Sequence, residues 1–146
     1  YAHHPDQRAI LAADPSLSGN AGEECLRWVT PVRGFIRTIA SETELRGQPM
    51  AAGQHIQMMW MAANRDEEVW DRADVFDITR KRDPAHITFG FGEHACLGAA
   101  VARLEGRVFF EELVQRYPHW ELAGEPRRPH SVLHNSFEEL PVAFSR

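Results

Sequence analysis

One ten-residue segment, FGFGEHACLG at residues 89–98, constrains this chain more than any other stretch of its sequence. It holds three glycines, a histidine and a cysteine, and it leads directly into a segment that we predict to be a helix over 97–116. A glycine-rich loop at the start of a helix lets the backbone approach a bound group closely, so the segment predicts a binding site. One face of that helix carries an apolar stripe, which we expect to pack in the core: Leu97, Val101, Leu104 and Val108.

A dinucleotide-binding turn is one interpretation of this loop. Residues 90–95, GFGEHA, match G-x-G-x-x-G/A between a predicted strand HITF and the helix, and a possible strand HWEL follows. Against it, Glu93 would repel a pyrophosphate, His94 and Cys96 add bulk, and no second strand and helix follow. This interpretation is the weaker alternative.

Two other interpretations give Cys96 a different role. His94 and Cys96 are both zinc ligands, but a structural zinc site needs four, and the sequence has no C-x-x-C pair to complete it. A nucleophilic cysteine needs a base and an orienting partner in space, which the sequence does not place. Both interpretations stay open at this level.

A single thiolate at the start of a helix supports a further interpretation. The first helical N–H groups and the positive end of the helix dipole favour the anionic form of a thiol such as Cys96. Gly92 and Gly98 have no Cβ and leave room for a large, flat group beside the backbone. These features suit an axial ligand of a haem iron.

The loop resembles a known family signature. Phe89, Gly92, His94, Cys96 and Gly98 occupy every fixed place of F-x-x-G-x-H-x-C-x-G, and the segment resembles the cysteine loop of the cytochrome P450 haem-thiolate monooxygenases. ECLR at 24–27 resembles the Glu-x-x-Arg of that family, PVRGFIRT resembles the strand that follows it, and residues 63–80 resemble its bacterial-type meander. The meander departs from the pattern at Glu67, Arg72 and Ala73.

The resemblance implies a fold that is mainly α with small β-sheets (α+β), the C-terminal part of the cytochrome P450 fold. Residues 1–146 would be the haem-binding part of one domain, and we expect the N-terminal part, with the residues that deliver protons to bound oxygen, to be absent from this chain. The implied activity is hydroxylation of a lipophilic small molecule with O2 and two electrons. We expect this chain alone to be inactive, and a truncated, non-catalytic haem-binding chain is the alternative.

The resemblance also implies roles for individual residues. Haem b would be bound through Cys96 as the iron ligand, with Arg37 and His94 on its propionates and Phe89, Gly92 and Gly98 around it. Glu24, Arg27 and Arg80 would form a buried charge triad, although Glu24 and Arg27 alone could be an ordinary surface pair. The residues expected to line the substrate pocket are Val32, Phe35, Ile36 and Phe137.

The partners implied by the family are a ferredoxin or flavoprotein electron donor and the missing N-terminal segment. Arg103 and Arg107 lie in the region that resembles the family's docking surface for the electron donor. A plain solvated helix face is the other interpretation. The net charge of −5, with dispersed basic residues, predicts neither nucleic-acid binding nor membrane attachment. Cys25 and Cys96 are too few for a disulfide framework, so we expect a cytoplasmic protein with Cys25 as a small buried apolar group.

Other patterns predict the remaining elements. Pro5, Pro15 and a turn at SGN break short helical pieces before a helix over 21–29. Residues 34–57 alternate like strands, MMWMAANRDEEVW predicts a short helix, and an irregular segment precedes HITF. The tail after HWEL is again strand-like.

Overall fold

Helices form the body of the molecule in the computed structural model, which describes residues 3–81 and 83–145. The helices are α1 (Pro5–Ala13), α2 (Ser18–Val29), the short α3 (Trp60–Ala63) and α4 (Ala99–Arg116). Helix α2 packs along α4. The two helices meet where Gly22 faces Gly106, since a Cβ at Gly22 would lie at ordinary contact distance, 3.9 Å, from the backbone carbonyl carbon of Gly106.

The described residues form three antiparallel strand pairs. Strand β1 (Gly34–Thr38) pairs with β4 (His55–Met59), β2 (Thr43–Leu45) with β3 (Gln48–Met50), and β5 (His119–Leu122) with β6 (Val142–Ser145). The long segment between α3 and α4 carries turns and no strand among its described residues. This architecture confirms the expected mixture of helices and small sheets.

The core lies where α1, α2, α4 and the irregular segment meet. Phe76 and Ile78, from that segment, are buried against the helices. Helix α4 turns the side with Ala102, Gly106, Phe110 and Val114 toward this core and α2. The buried members of the cluster and their half-buried neighbours are Leu11, Ala21, Phe76, Ile78, Leu17, Cys25, Trp28, Phe110 and Val114.

The apolar stripe at Leu97, Val101, Leu104 and Val108 is exposed and does not pack in the core that the described residues form. Helix α4 has two apolar sides, and the core uses the one at 102, 106, 110 and 114. None of the described helices combines the length and apolar character needed to cross a bilayer.

Three local predictions also differ from the structure. The SGN segment is the first turn of α2, because Ser18 and Ala21 are buried against the core and stabilise the helix there. HITF forms no strand, since the amide of Ile87 and the hydroxyl of Thr88 bond to Asn64 Oδ1 and the Leu26 carbonyl instead. The predicted helix within 58–70 is confined to α3.

Candidate functional site

A buried charge cluster joins α2 to the segment after α3. Glu24 and Arg27, one turn apart on α2, form two hydrogen bonds of 2.8 Å, and Arg80 Nε lies 3.3 Å from Glu24 Oε2. Glu24 Oε1 also accepts a 2.9 Å hydrogen bond from the backbone N–H of Asp77. The structure therefore brings Glu24, Arg27 and Arg80 together, as the triad prediction requires.

Arg27 also binds the backbone of the irregular segment. Its Nη1 donates to the carbonyls of Asn64 and Ala73 at 2.8 and 3.0 Å, and its Nη2 donates to the carbonyl of Val75 at 3.0 Å. The residue is only 1% exposed. A buried charge is stable only when paired and fully hydrogen-bonded, and Arg27 meets that condition.

Asn64 is a structural hub that the sequence analysis did not single out. Its Nδ2 donates to the hydroxyls of Thr30 and Thr88 at 2.9 and 2.8 Å, and its Oδ1 accepts from the amide of Ile87 at 2.9 Å. Asn64 thus connects the end of α2 with the residues that enter the cysteine loop. The signal that could have identified it is the ANRD sequence at residues 63–66, which belongs to the segment that resembles the family's meander.

The cysteine loop exposes its thiol. The amide of Cys96 donates a 2.7 Å hydrogen bond to the carbonyl of Phe89, closing the loop on itself. Gly90 and Gly92 have φ values of 75° and 68°, a backbone region that favours glycine, and no atom lies within 4 Å of a Cβ built on Gly92. Cys96 is exposed and stands three residues before the start of α4.

A second cluster, also missed by the sequence analysis, supports Phe89. Arg103 Nε donates to Glu23 Oε1 at 2.8 Å, and its guanidinium lies 4.7 Å from the centre of the Phe89 ring. His86 Nε2 lies 3.1 Å from Glu23 Oε2 without the alignment of a hydrogen bond. Burial of Glu23 opposes its ionisation, but contacts from His86 and Arg103 outweigh that effect and lower the pKa of Glu23 to about 2.

The two predicted propionate ligands have no acidic partner among the described residues. Arg37 is half-buried on β1, and its Nη1 donates to the carbonyl of Ile36 at 3.1 Å. His94 ends the short turn of Gly92–His94 and is exposed. Both cationic or potentially cationic groups are therefore free to meet an anion. Arg107 is exposed and lies 3.8 Å from Glu111.

The predicted substrate-lining residues fall into two places. The amide of Arg33 donates to the carbonyl of Leu133, and Val32 pairs with His134, so the strand region after α2 meets the tail. Phe35, on that strand, packs edge-on against Trp60 at 5.0 Å. Phe137 instead lies against the Arg128 guanidinium, 4.0 Å from the ring centre, and lines a cavity with Trp28 and Trp120.

The other interpretations of the loop lose their structural basis. No strand leads directly into the loop at 86–89, and β5 runs antiparallel to β6, so the strand and helix arrangement of a dinucleotide site is not present in the described residues. Within 3–81 and 83–145 no three histidine, cysteine or acidic side chains gather as metal ligands. Both cysteines are free, and Cys25 is a half-buried core neighbour whose burial raises the pKa of its thiol to about 12.

Comparison with known proteins gives the family. The model of the family described as Cytochrome P450 matches residues 20–136, which include the charge cluster and the cysteine loop. The chain belongs to the cytochrome P450 family. Haem b, ligated through a cysteine thiolate, is the cofactor of this family.

Similar proteins are cytochromes P450 of greater length. Cytochrome P450-terp of a Pseudomonas species is 39% identical over 99% of this chain and 34% of its own length. A steroid C26-monooxygenase of Mycolicibacterium smegmatis is 40% identical over 97% of this chain and 36% of its own. The structure of cytochrome P450-153 from Novosphingobium aromaticivorans superposes with a TM-score of 0.93 at 36% identity, covering 99% of this chain and 36% of that one. The chain thus spans about a third of the length of these cytochromes P450.

The residues around Cys96 fit a haem. A bare metal ion needs several protein ligands, whereas the iron of a haem already carries four porphyrin nitrogens and needs only one axial thiolate from the protein. Cys96 offers that single ligand, the open space at Gly92 admits a flat group, and Phe91 and Leu97 leave apolar surface exposed beside it. The donor set therefore matches the cofactor of a cytochrome P450.

Proposed function

We propose that residues 1–146 form the haem-binding C-terminal part of a single cytochrome P450 domain that works as a monooxygenase, with Cys96 as the ligand of the haem iron. The observation that carries this proposal is the lone, exposed thiol of Cys96. Its backbone is fixed by the 2.7 Å bond to Phe89, and no group of three histidine, cysteine or acidic side chains gathers as metal ligands among the described residues. A site of this kind suits an axial ligand better than a metal-ion cage.

The other residues hold and orient the cofactor. A thiolate-ligated haem supplies the activation of O2, in which two electrons and two protons reduce one oxygen atom to water and the other enters the substrate. Arg37 and His94, without acidic partners in the described chain, neutralise the two propionates. The cluster of Glu24, Arg27 and Arg80 holds the segment that leads to the loop, and Phe89 and Gly98 complete the wall beside the sulfur.

Electrons come from a ferredoxin or flavoprotein, and the substrate is a lipophilic small molecule. Exposed Arg107 offers positive charge for an acidic donor. Val32, Phe35 and Ile36 offer partly exposed apolar surface on the strand after α2, and one relative is named a steroid C26-monooxygenase. We place the protein in the cytoplasm, where its free cysteines stay reduced.

Oxygen-isotope labelling tests the monooxygenase proposal. The natural haem-loaded protein is supplied with an electron-transfer pair, a panel of apolar substrates and 18O2. We expect a hydroxylated product that carries one 18O atom, with the second atom recovered in water. A product labelled from solvent instead of O2, or one that carries both atoms of the same O2, contradicts a monooxygenase.

A further inference from the structure

Arg33 is held in a fixed backbone position between two neighbouring segments. Its amide donates a 2.9 Å hydrogen bond to the carbonyl of Leu133 in the tail, and its carbonyl accepts a 3.3 Å bond from the amide of Met61 in α3. The base of the Arg33 side chain is therefore anchored on both sides. A side chain on such a base is suited to fixing the position of a ligand.

The half-buried Arg33 side chain has one buried nitrogen without a partner. Its Nε is buried without a hydrogen-bond acceptor, and no acidic side chain in 3–81 or 83–145 forms an ion pair with it. The contrast with Arg27 is direct, because all five hydrogen bonds of that buried guanidinium reach acceptors at 2.8–3.0 Å. A buried guanidinium nitrogen without an acceptor is costly, and a bound anion would supply the missing acceptor.

Strand geometry places Arg33 on the side of the proposed haem site. Side chains alternate along extended backbone, so Arg33, Phe35 and Arg37 point to the same side of the segment that forms β1. Four residues span about 13 Å at roughly 3.3 Å per residue, too far for Arg33 and Arg37 to bind one carboxylate together. Between them stands Phe35, which is apolar and 41% exposed.

We propose that Arg33 binds the carboxylate of a lipophilic carboxylic acid, whose apolar chain lies along Phe35. The guanidinium fork matches a carboxylate geometrically and gives a charge-assisted, bidentate contact that a neutral alcohol cannot reproduce. This inference rests on the proposed function, since it specifies the substrate class of the same pocket. In this proposal the pocket binds the apolar chain of the substrate, and Arg33 binds its carboxylate.

Two probes of equal chain length test the proposal by calorimetric titration of the natural haem-loaded protein: decanoate and 1-decanol. We expect the wild-type protein to bind decanoate at least about 10-fold more tightly than 1-decanol. Arg33→Gln should weaken decanoate binding by about 10- to 100-fold while 1-decanol binding changes less than about twofold, and Arg33→Lys should fall between. The control is Arg46→Gln, which removes a charge from a residue whose side chain is 83% exposed.

Several outcomes overturn the proposal. These are equal affinity of the wild-type protein for the two probes, no binding of decanoate, or an equal loss for both probes in Arg33→Gln. Unchanged decanoate binding in Arg33→Gln also overturns it, and a lower melting temperature in that variant would then assign Arg33 a structural role. The absorption spectrum of the wild-type protein separates the two levels: absence of bound haem defeats the proposed function, whereas bound haem without a carboxylate preference defeats only the role of Arg33.

Discussion

Arg27 and Glu24 lie one turn apart on α2 and are joined by two parallel hydrogen bonds of 2.8 Å, with side chains that are 1% and 3% exposed. The Glu24 carboxylate also accepts a hydrogen bond from the amide of Asp77. The Arg27 guanidinium also donates hydrogen bonds to three backbone carbonyls after α3. The pair is thus the main polar connection between α2 and the chain that leads to the cysteine loop. The pair matters for stability because removal of either side chain would leave the buried polar groups of the other without hydrogen-bond partners.

Replacement of Arg27 should be strongly destabilising. Arg27→Met leaves Glu24 buried and without its closest counter-charge, and loss of one partner of a buried pair costs about 3–5 kcal/mol. Urea unfolding followed by circular dichroism measures the change. The matched control is Arg107→Met, which disrupts a half-exposed pair with Glu111 and should cost less than about 1 kcal/mol. Similar losses for both variants would contradict the buried-pair account.

A methyl group at Gly34 should disrupt the pairing of β1 with β4. A Cβ built there would lie 1.9 Å from the carbonyl oxygen of Met58, so the strands must separate. Gly34→Ala should lower the melting temperature by several degrees, as for other overpacked sites. Gly106→Ala is the control, because nothing lies within 4 Å of its Cβ and alanine favours the helix by about 1 kcal/mol. A Gly34→Ala protein as stable as wild type would show that the register is wrong.

Asn64 should control the order of the chain just before the loop. Asn64→Leu leaves the Ile87 amide without its acceptor and removes the donor to the hydroxyls of Thr30 and Thr88, at a cost of about 1–3 kcal/mol. Hydrogen exchange at the Ile87 amide should become faster. Gln115→Leu, on the exposed surface of α4, should leave that rate unchanged. Equal protection of Ile87 in both variants would contradict the role of Asn64.

Stability should fall in acid partly through Glu23. The pKa of Glu23 is lowered to about 2 in the folded protein from 4.5 in the unfolded chain, so its ionised form stabilises the fold above pH 4.5. That contribution is lost progressively as the pH falls from 4.5 toward 2. Glu23→Gln should therefore flatten the dependence of the unfolding free energy on pH in this window, and Glu105→Gln, at an exposed position, should not. An unchanged slope in Glu23→Gln would contradict the shift.

Local contacts followed the sequence more closely than the packing between elements. The hydrogen bond between Phe89 and Cys96 and the pair of Glu24 and Arg27 each lie within one short segment, whereas the position of Arg80 beside Glu24 was expected only from the family resemblance. The packing of α4 did not follow, because the helix has two apolar sides and periodicity alone does not say which one the core uses. The cluster of Glu23, His86 and Arg103 also stayed hidden, since its members come from three segments that meet only in the folded chain.

Elsewhere tertiary hydrogen bonds replaced the expected strand. HITF has the composition of a strand, yet Ile87 and Thr88 bond to Asn64 and to the end of α2. A strand-like composition shows only that a segment could pair with another strand. It does not reveal a side chain elsewhere that binds the same backbone groups. In the SGN segment a helix forms where the composition predicts a turn, because Ser18 is buried at the start of α2.

Ligation by Cys96 is the central claim, and the carbon monoxide spectrum of the reduced, haem-loaded protein tests it most directly. The account predicts the strongly red-shifted Soret band of a thiolate-ligated haem in the wild-type protein and in Cys25→Ser, where the half-buried thiol has no part in the site. Cys96→Ser should lose that band while haem absorption remains. An unchanged red-shifted band in Cys96→Ser would contradict the account.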